Sequence, residues 1–435
     1  MKLPEVLIYT KEDEKEASYC YNDEIIEYIK KYNVEEYIHW EKLKYKKGLP
    51  IEPKYLWILL NRDRKIHFKD LKFYNWTFKY YINDKIQKIL GELDILKNME
   101  FPNEIGDLIS SKYKIDALIE ESIASSQIEG AKTTTKIAKE TIKSGKKPKN
   151  NDEIMIYNNH EAMKYITNEL KNKDFTIDEI LKIHNLISKE LIGNEYVGEF
   201  RTIDGVIVRD IKTNKTLHIP PNHELIESLM NELCNFANNK EDSIHPIIKG
   251  IIIHFLIGYI HPFIDGNGRT ARALFYWYIL NSGYTIFEYL KVSEFINKSK
   301  GQYKNSYLYV ESHKCNEYEG DLTYFISYIL NCIEKSRNEF KEELELLEDE
   351  LKHKDKIYNN LLNDLKNNNL NLRQLDILEE IIENPKKKFT IKYIVNSYGV
   401  AYATARNDLN IFAGCGILQK KKAGKEFIYV PNILN

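Results

Sequence analysis

Two stretches of the chain are apolar on every side, and they stand close together. Ile251 to Ile260 is broken only by His254 and Gly258, and Ala273 to Leu280 contains no charge at all. Segments without a polar face read as fully buried helices. Elsewhere the apolar residues recur at steps of three and four. Phe78, Ile82, Ile86, Ile89 and Leu93 mark one amphipathic helix, and Ile115, Leu118, Ile119 and Ile123 mark another over 113–130. Two more helices are expected over roughly Asp152 to Asn172 and Thr176 to Leu191, the second opening on Thr176 as N-cap ahead of Asp178 and Glu179. Between them and the buried pair the period changes. Val206, Ile207 and Val208 form a short β-like run, and His218-Ile219-Pro220-Pro221 ends this non-helical insertion. Lys143 to Asn151 reads as a solvated loop.

Beyond Glu334 the pattern turns charged, with a narrow seam of Phe340, Leu344, Leu347 and Leu351. Asn367-Asn368-Asn369 marks a linker. The last segment holds three short helices, Leu372 to Ile382, Thr390 to Tyr398 and Ala401 to Phe412. A hairpin follows, with its turn at Ala423-Gly424 and its return strand over Phe427 to Val430. The fold class expected is mainly α. The divisions are an N-terminal helical layer (1–100), a central helical domain with a short hairpin (101–333), a charged helical linker (334–370) and a winged helix domain (371–435).

The polar break between the two buried helices is His261-Pro262-Phe263-Ile264-Asp265-Gly266-Asn267-Gly268-Arg269-Thr270-Ala271-Arg272. Glycines allow the amides of Gly266, Asn267 and Gly268 to converge at a helix N-terminus, which favours anions. Arg269 and Arg272 add forked cations suited to phosphate. Asp265 beside phosphates has the character of a magnesium ligand, and His261 can take a proton near neutral pH.

This stretch resembles the signature of the Fic family, His-x-Phe-x-Asp/Glu-Gly-Asn-Gly-Arg-x-x-Arg, with every specified position filled. The resemblance covers roughly Tyr113 to Cys332. It implies transfer of AMP from ATP, with Mg2+, to a Ser, Thr or Tyr hydroxyl of a protein target and of the chain itself. In that reading His261 is the base and Asp265 holds the metal. Gly266, Asn267, Gly268, Arg269 and Arg272 bind the phosphates, and Tyr303 walls the adenine pocket. The kinase-like branch of the family carries Lys where this chain has Gly268, so the AMP-transferring orientation is implied. Val206, Ile207 and Val208 fall where the family has its target-docking flap, expected over 200–210. Gly198-x-Phe200-Arg201 also matches the family and is read as structural.

Ser125-x-x-x-Glu129-Gly130 resembles the family's inhibitory motif, in the subclass whose inhibitory helix precedes the core. Glu129 is expected to take Arg272 through a forked ion pair, with Ser125 steadying the carboxylate. Two alternatives stand beside this reading: a hydrolase that removes AMP at the same site, and a non-enzymatic regulator that senses nucleotide and binds DNA.

Composition adds exclusions. The chain has 435 residues and a formal net charge of -2, so no global polyanion-binding bias exists. Local basic residues, Lys386 to Lys388, Arg406, Lys420 to Lys422 and Lys425, gather in the winged helix segment. DNA binding and protein interaction remain open for it, since Asp408 lies on its recognition helix. Five scattered cysteines without a C-x-x-C pair argue for a reducing compartment. No signal peptide and no bilayer-length apolar run are evident, so a cytoplasmic protein without membrane contact is expected. The charged seam also admits a homodimer.

Overall fold

A computed structural model of the chain describes residues 4–97, 106–144, 147–209, 215–314, 318–365, 370–423 and 426–432. It divides into two compact units. The first comprises Met1–Phe101 and Gly106–Phe340, the second Pro102–Ile105 and Lys341–Asn435.

At the centre of the first unit lie the two helices read as buried, Pro246–Ile260 and Asn267–Asn281. The first starts on Pro at N1 under a His245 cap, and nearly every residue of both is withdrawn from solvent. Around them stand Asn151–Glu169, Ile177–Ser188, Ile226–Asn238 and the long helix Gly106–Ile128. Thr176 caps its helix through the Glu179 amide, as its sequence position implies. The helix expected over 113–130 starts earlier and stops at Ile128, which places Glu129 and Gly130 in the turn that follows it.

Three local readings change. Phe78, taken as helical, lies in a strand. Lys69–Phe73 and Trp76–Tyr80 pair as an antiparallel hairpin, and the helix begins only at Asp84, capped by Asn83. The period-two burial of Leu71, Phe73, Phe78 and Tyr80 decides this, since Phe78 to Leu93 reads as helical only if the strand residues are counted with the helix. A helix over Thr135–Ser144 takes in Lys143, and the rest of the expected loop includes residues outside those described. In the insertion the strand is only Val208–Arg209, paired with Thr216–His218; Val206 and Ile207 precede it, and Asp210 lies outside the described residues.

The N-terminal layer is stitched to the rest of its unit by backbone. Lys79 donates to Gly320 at 2.9 Å, Leu322 to Lys79 at 2.8 Å and Glu319 to Thr77 at 2.8 Å. Arg64, fully buried, donates to Asn33, to the Tyr324 hydroxyl and to the Ile38 carbonyl, so its charge is dispersed over neutral acceptors. The helix Thr323–Leu365 begins beside this joint and buries Phe340 against Tyr113 and Tyr289.

The second unit holds helices Leu372–Glu383, Ile391–Tyr398 and Tyr402–Gly414. Its three-stranded antiparallel sheet places Glu426–Pro431 between Phe389–Thr390 and Leu418–Ala423. Its core includes Ile377, Ile381, Ile394, Leu409, Phe412 and Tyr429. Asp408, placed on the recognition helix by sequence, is buried and is held by Arg373 at 2.8 Å and Gln374 at 2.6 Å. The Asn367–Asn369 linker, Gly424 and Lys425 lie outside the described residues.

A Cβ at Gly320 would meet the Val310 carbonyl oxygen at 2.4 Å, whereas one at Gly91 would meet nothing within 4 Å. Gly320→Ala should therefore lower the thermal midpoint by several degrees. Gly91→Ala, mid-helix and unobstructed, should leave it unchanged or raise it, the helix gaining about 0.5–1 kcal/mol. Thermal unfolding of the two variants checks the pair.

Candidate functional site

His261 ends the first buried helix in the left-handed region, with φ 52° and its amide still bonded to Ile257. This reversal turns the chain out of the helix and into the polar loop. The neighbouring backbone is fixed by Arg201, which donates to the carbonyls of His261 (3.0 Å), Ile203 (2.9 Å) and Pro221 (2.5 Å). One guanidinium thus joins the loop to both ends of the hairpin insertion. The His261 Nδ1 faces the Gly258 carbonyl at 3.3 Å, which places the ring proton there and leaves Nε2 as the basic nitrogen. Burial is the main cause of its pKa falling to about 4, so the ring is neutral near pH 7.

The loop is cross-braced from inside. The Asn267 carboxamide accepts from the Phe263 amide at 2.9 Å and donates to the Phe263 carbonyl at 2.8 Å. That side chain is fully committed, so what Asn267 can offer a phosphate is its main-chain N–H. Phe263 stacks on His184 with ring centroids 3.7 Å apart. His184 accepts from the Gly198 amide through Nδ1 and donates to the Asp265 carbonyl through Nε2, at 3.1 and 2.9 Å. Its role escapes the sequence, where it reads as one more inward position beside Ile180, Ile183 and Ile187.

Gly266 takes φ 83° and precedes the helix. Its amide is engaged by Asp265 Oδ1 at 2.7 Å, so of the amides expected to converge on an anion this one is already occupied. The Asp265 carboxylate is otherwise 60 % exposed and stands 3.7 Å from Arg269. Arg269 donates to the Ile187 carbonyl while its buried Nε has no partner. Burial, outweighing Asp265, pushes its pKa down.

Arg272 is buried and is the hub of the site. Nε donates to Ser125 Oγ at 2.8 Å, and Nη2 donates to the Ser125 carbonyl at 2.9 Å and to Glu129 Oε1 at 2.8 Å. The expected fork is thus absent: one carboxylate oxygen meets one nitrogen, and Ser125 holds the arginine rather than the glutamate. Arg272 Nη1 is buried without an acceptor. Burial works against the guanidinium charge, and Glu129 and Tyr303 together more than offset it, raising the pKa. Glu129 also rests on the Gly266–Gly268 turn, because a Cβ at Gly268 would collide with its Oε1. The Tyr303 hydroxyl bonds His254 Nε2 at 2.8 Å and lies beside Arg272.

The loop therefore gathers His261, Asp265, Gly266, Asn267, Gly268, Arg269 and Arg272 with Ser125, Glu129 and Tyr303. Gly130 follows in the turn at φ 109°. Val206, Ile207 and Val208 are related to His261 through the Arg201 knot and not through direct contacts among the described bonds.

A mainly helical unit whose central loop presents such residues defines a class. Residues 174–279 match the Fic/DOC family, and residues 373–429 match the DeoR-like helix-turn-helix domain. The similarity to the Fic/DOC family rests on the first of these segments. It is 27% identical over 263 residues to the protein adenylyltransferase Fic of Nematostella vectensis, covering 58% of this chain and 55% of that one. It is 32% identical over 178 residues to the protein of the same name from Aedes aegypti, covering 40% and 31%. The chain thus spans about half or less of the length of these relatives. A Fic family protein from Desulfovibrio desulfuricans has the same fold, with TM-score 0.56 and 17% identity over 80% of this chain and 94% of that one. Among the described residues no helix is long and apolar enough to cross a membrane.

His184 and His261 both sit at about 4, burial being the leading cause. An unfolded imidazole binds its proton near 6.5 and the folded ones only near 4, so their stabilisation is complete above pH 6.5 and lost as pH falls toward 4. The thermal midpoint should drop across that window. His184→Phe, which keeps a ring on Phe263, should be less stable at pH 7 and show a shallower pH slope.

Proposed function

We propose that the protein is an adenylyltransferase that moves AMP from ATP to a hydroxyl of a protein target, held off by its own Glu129. Similarity to relatives named protein adenylyltransferase Fic supports the reaction. The observation that carries the regulated form is Arg272, whose buried guanidinium has one nitrogen on Glu129 and another with no acceptor. A buried donor of this kind awaits an anion, and the terminal phosphates of ATP are the anion this site suits.

In the reaction His261 Nε2 takes the proton of a Ser, Thr or Tyr hydroxyl. That oxygen bonds to the α-phosphorus, the bond to the bridging oxygen breaks, and pyrophosphate leaves. The first-turn amides of the helix at Asn267 and Gly268 face the phosphate charge. Arg269 and Arg272 receive the β- and γ-phosphates, and Tyr303, expected at the adenine, lies beside Arg272 and so stands at the phosphate end. A lone exposed carboxylate beside a phosphate site suits magnesium, which keeps most of its shell as water and phosphate oxygen. Asp265 would hold it, and it would neutralise phosphate charge. Among the described residues no cluster of three or more His, Cys, Asp or Glu offers a denser metal site. Val206, Ile207 and Val208 precede and begin the short strand that would align the target.

Glu129 controls this by position. With its carboxylate on Arg272 and against Gly268, ATP enters with displaced terminal phosphates and its α-phosphorus out of line, and about 1 Å of misplacement costs about a hundredfold. Glu129→Gly should raise self-modification by labelled ATP at least tenfold, and His261→Ala in that background should abolish it while ATP still binds, a general base being worth roughly a hundred- to ten-thousand-fold. A silent, folded Glu129→Gly protein that binds ATP removes the inhibitory role. Label lost from a previously modified target favours AMP removal instead.

For the second unit we infer duplex DNA as partner. The DeoR-like match supports it, and so does the burial of Asp408, which leaves Arg406 and Asn407 on the exposed side of the recognition helix with Lys421 and Lys422 on the adjacent strand. Affinity of the full chain for duplex should fall steeply with salt, and Arg406→Ala/Lys421→Ala/Lys422→Ala should flatten that slope by about two to three units.

A further inference from the structure

Glu129 is the lever of the proposed control, yet its own side chain is loosely held. Only Oε1 is bonded, and the carboxylate is 35% exposed. What fixes it must be the backbone of the turn that carries it. That turn is closed internally by Gln127, whose Nε2 donates to the Thr133 carbonyl at 3.0 Å, and by the amides of Glu129 and Gly130 reaching back to Ser126 and Gln127.

Two residues far along the chain hold the same turn from outside. Asn297 Nδ2 donates to Gln127 Oε1 at 3.0 Å, and Lys300 Nζ donates to the Gln127 carbonyl at 2.5 Å. A cation on a carbonyl of the last helical turn is favoured by the helix dipole as well as by the bond. Asn297 ends the helix Val292–Lys298, and Lys300 begins Lys300–Glu311, the helix that carries Tyr303 beside Arg272. Ser299 between them is pinned to Phe295 at 2.6 Å and to Tyr328 at 2.8 Å, so the pair is presented by a braced corner. The Gln127 turn and Tyr303 thus approach Arg272 from two sides, and one short segment of chain, 297 to 303, bears on both.

We propose that Asn297 and Lys300 are positioning residues for Glu129, acting through Gln127. The inference rests on the inhibitory reading of Glu129. Cutting those bonds loosens the turn, weakens the hold of Glu129 on Arg272 and favours the productive nucleotide pose. Because Glu129 misaligns ATP and does not exclude it, the gain falls on kcat and leaves KM for ATP little changed.

The test compares full-length wild type, Asn297→Ala/Lys300→Ala, Lys300→Arg, Glu129→Gly and the triple variant. Self-modification and amide hydrogen exchange over 126–131 are both measured. Loss of two hydrogen bonds, one charged, predicts a roughly five- to thirty-fold rise in kcat for the double variant. No further rise is expected when the double is added to Glu129→Gly, and Lys300→Arg should stay near wild type. Exchange at Glu129, Gly130 and Ala131 should quicken in the double variant whatever its activity. An active Glu129→Gly with a double variant as slow as wild type, or exchange left unchanged, overturns the positioning role. A quiet Glu129→Gly instead overturns the inhibitory reading, and with it any role for Asn297 and Lys300 in control.

Discussion

A guanidinium buried in a protein has to be surrounded by acceptors, because an unpaired charge there is costly. Arg272 meets this demand incompletely: Ser125 and Glu129 serve two of its nitrogens, and the third has none. The rest of the site follows from that deficit. The two apolar helices fix where the arginine stands, the loop between them is braced by Asn267 and His184, and the helix ending at Ile128 brings Ser125 and Glu129 to it. A site completed by its own carboxylate, yet short of one acceptor, is poised between self-satisfaction and ligand binding.

The control proposed for Glu129 requires little structural change. Glu129 meets Arg272 through a single oxygen and lies partly in solvent, so displacing it disturbs no packed core. Ser125 holds the arginine through two bonds independent of Glu129, so a phosphate replacing the glutamate would meet a donor already oriented. Preorganisation of the cation and mobility of the anion are therefore divided between two residues one helical turn apart.

How much of this was legible in the sequence varied with the range of the interaction. The spacing of His261, Asp265, Arg269 and Arg272 between two apolar runs named the loop, and Thr176 marked its helix start, because both signals are local. The hairpin at Lys69–Tyr80 was hidden because its apolar residues run into a helical pattern. His184 was indistinguishable from its isoleucine neighbours, since what makes it matter is contact with Gly198 and Asp265. Asp408 looked like a charge opposing DNA and proved to be a core acceptor for Arg373 and Gln374, a role fixed by the first helix of its unit. Ser125 was placed in the right cluster with the wrong partner, since position along a helix gives a face and not a bond.

The contact between Glu129 and Arg272 spans 143 residues of sequence. Only the arginine falls within the segment 174–279 that matches the family. The signature and the carboxylate that meets it are thus separately heritable. On the role proposed for Glu129, a duplication, truncation or fusion whose breakpoint falls between them would pass on the loop without its brake. A chain so rearranged would lack the carboxylate at Arg272 Nη2 unless another stretch of chain or another polypeptide supplied one there.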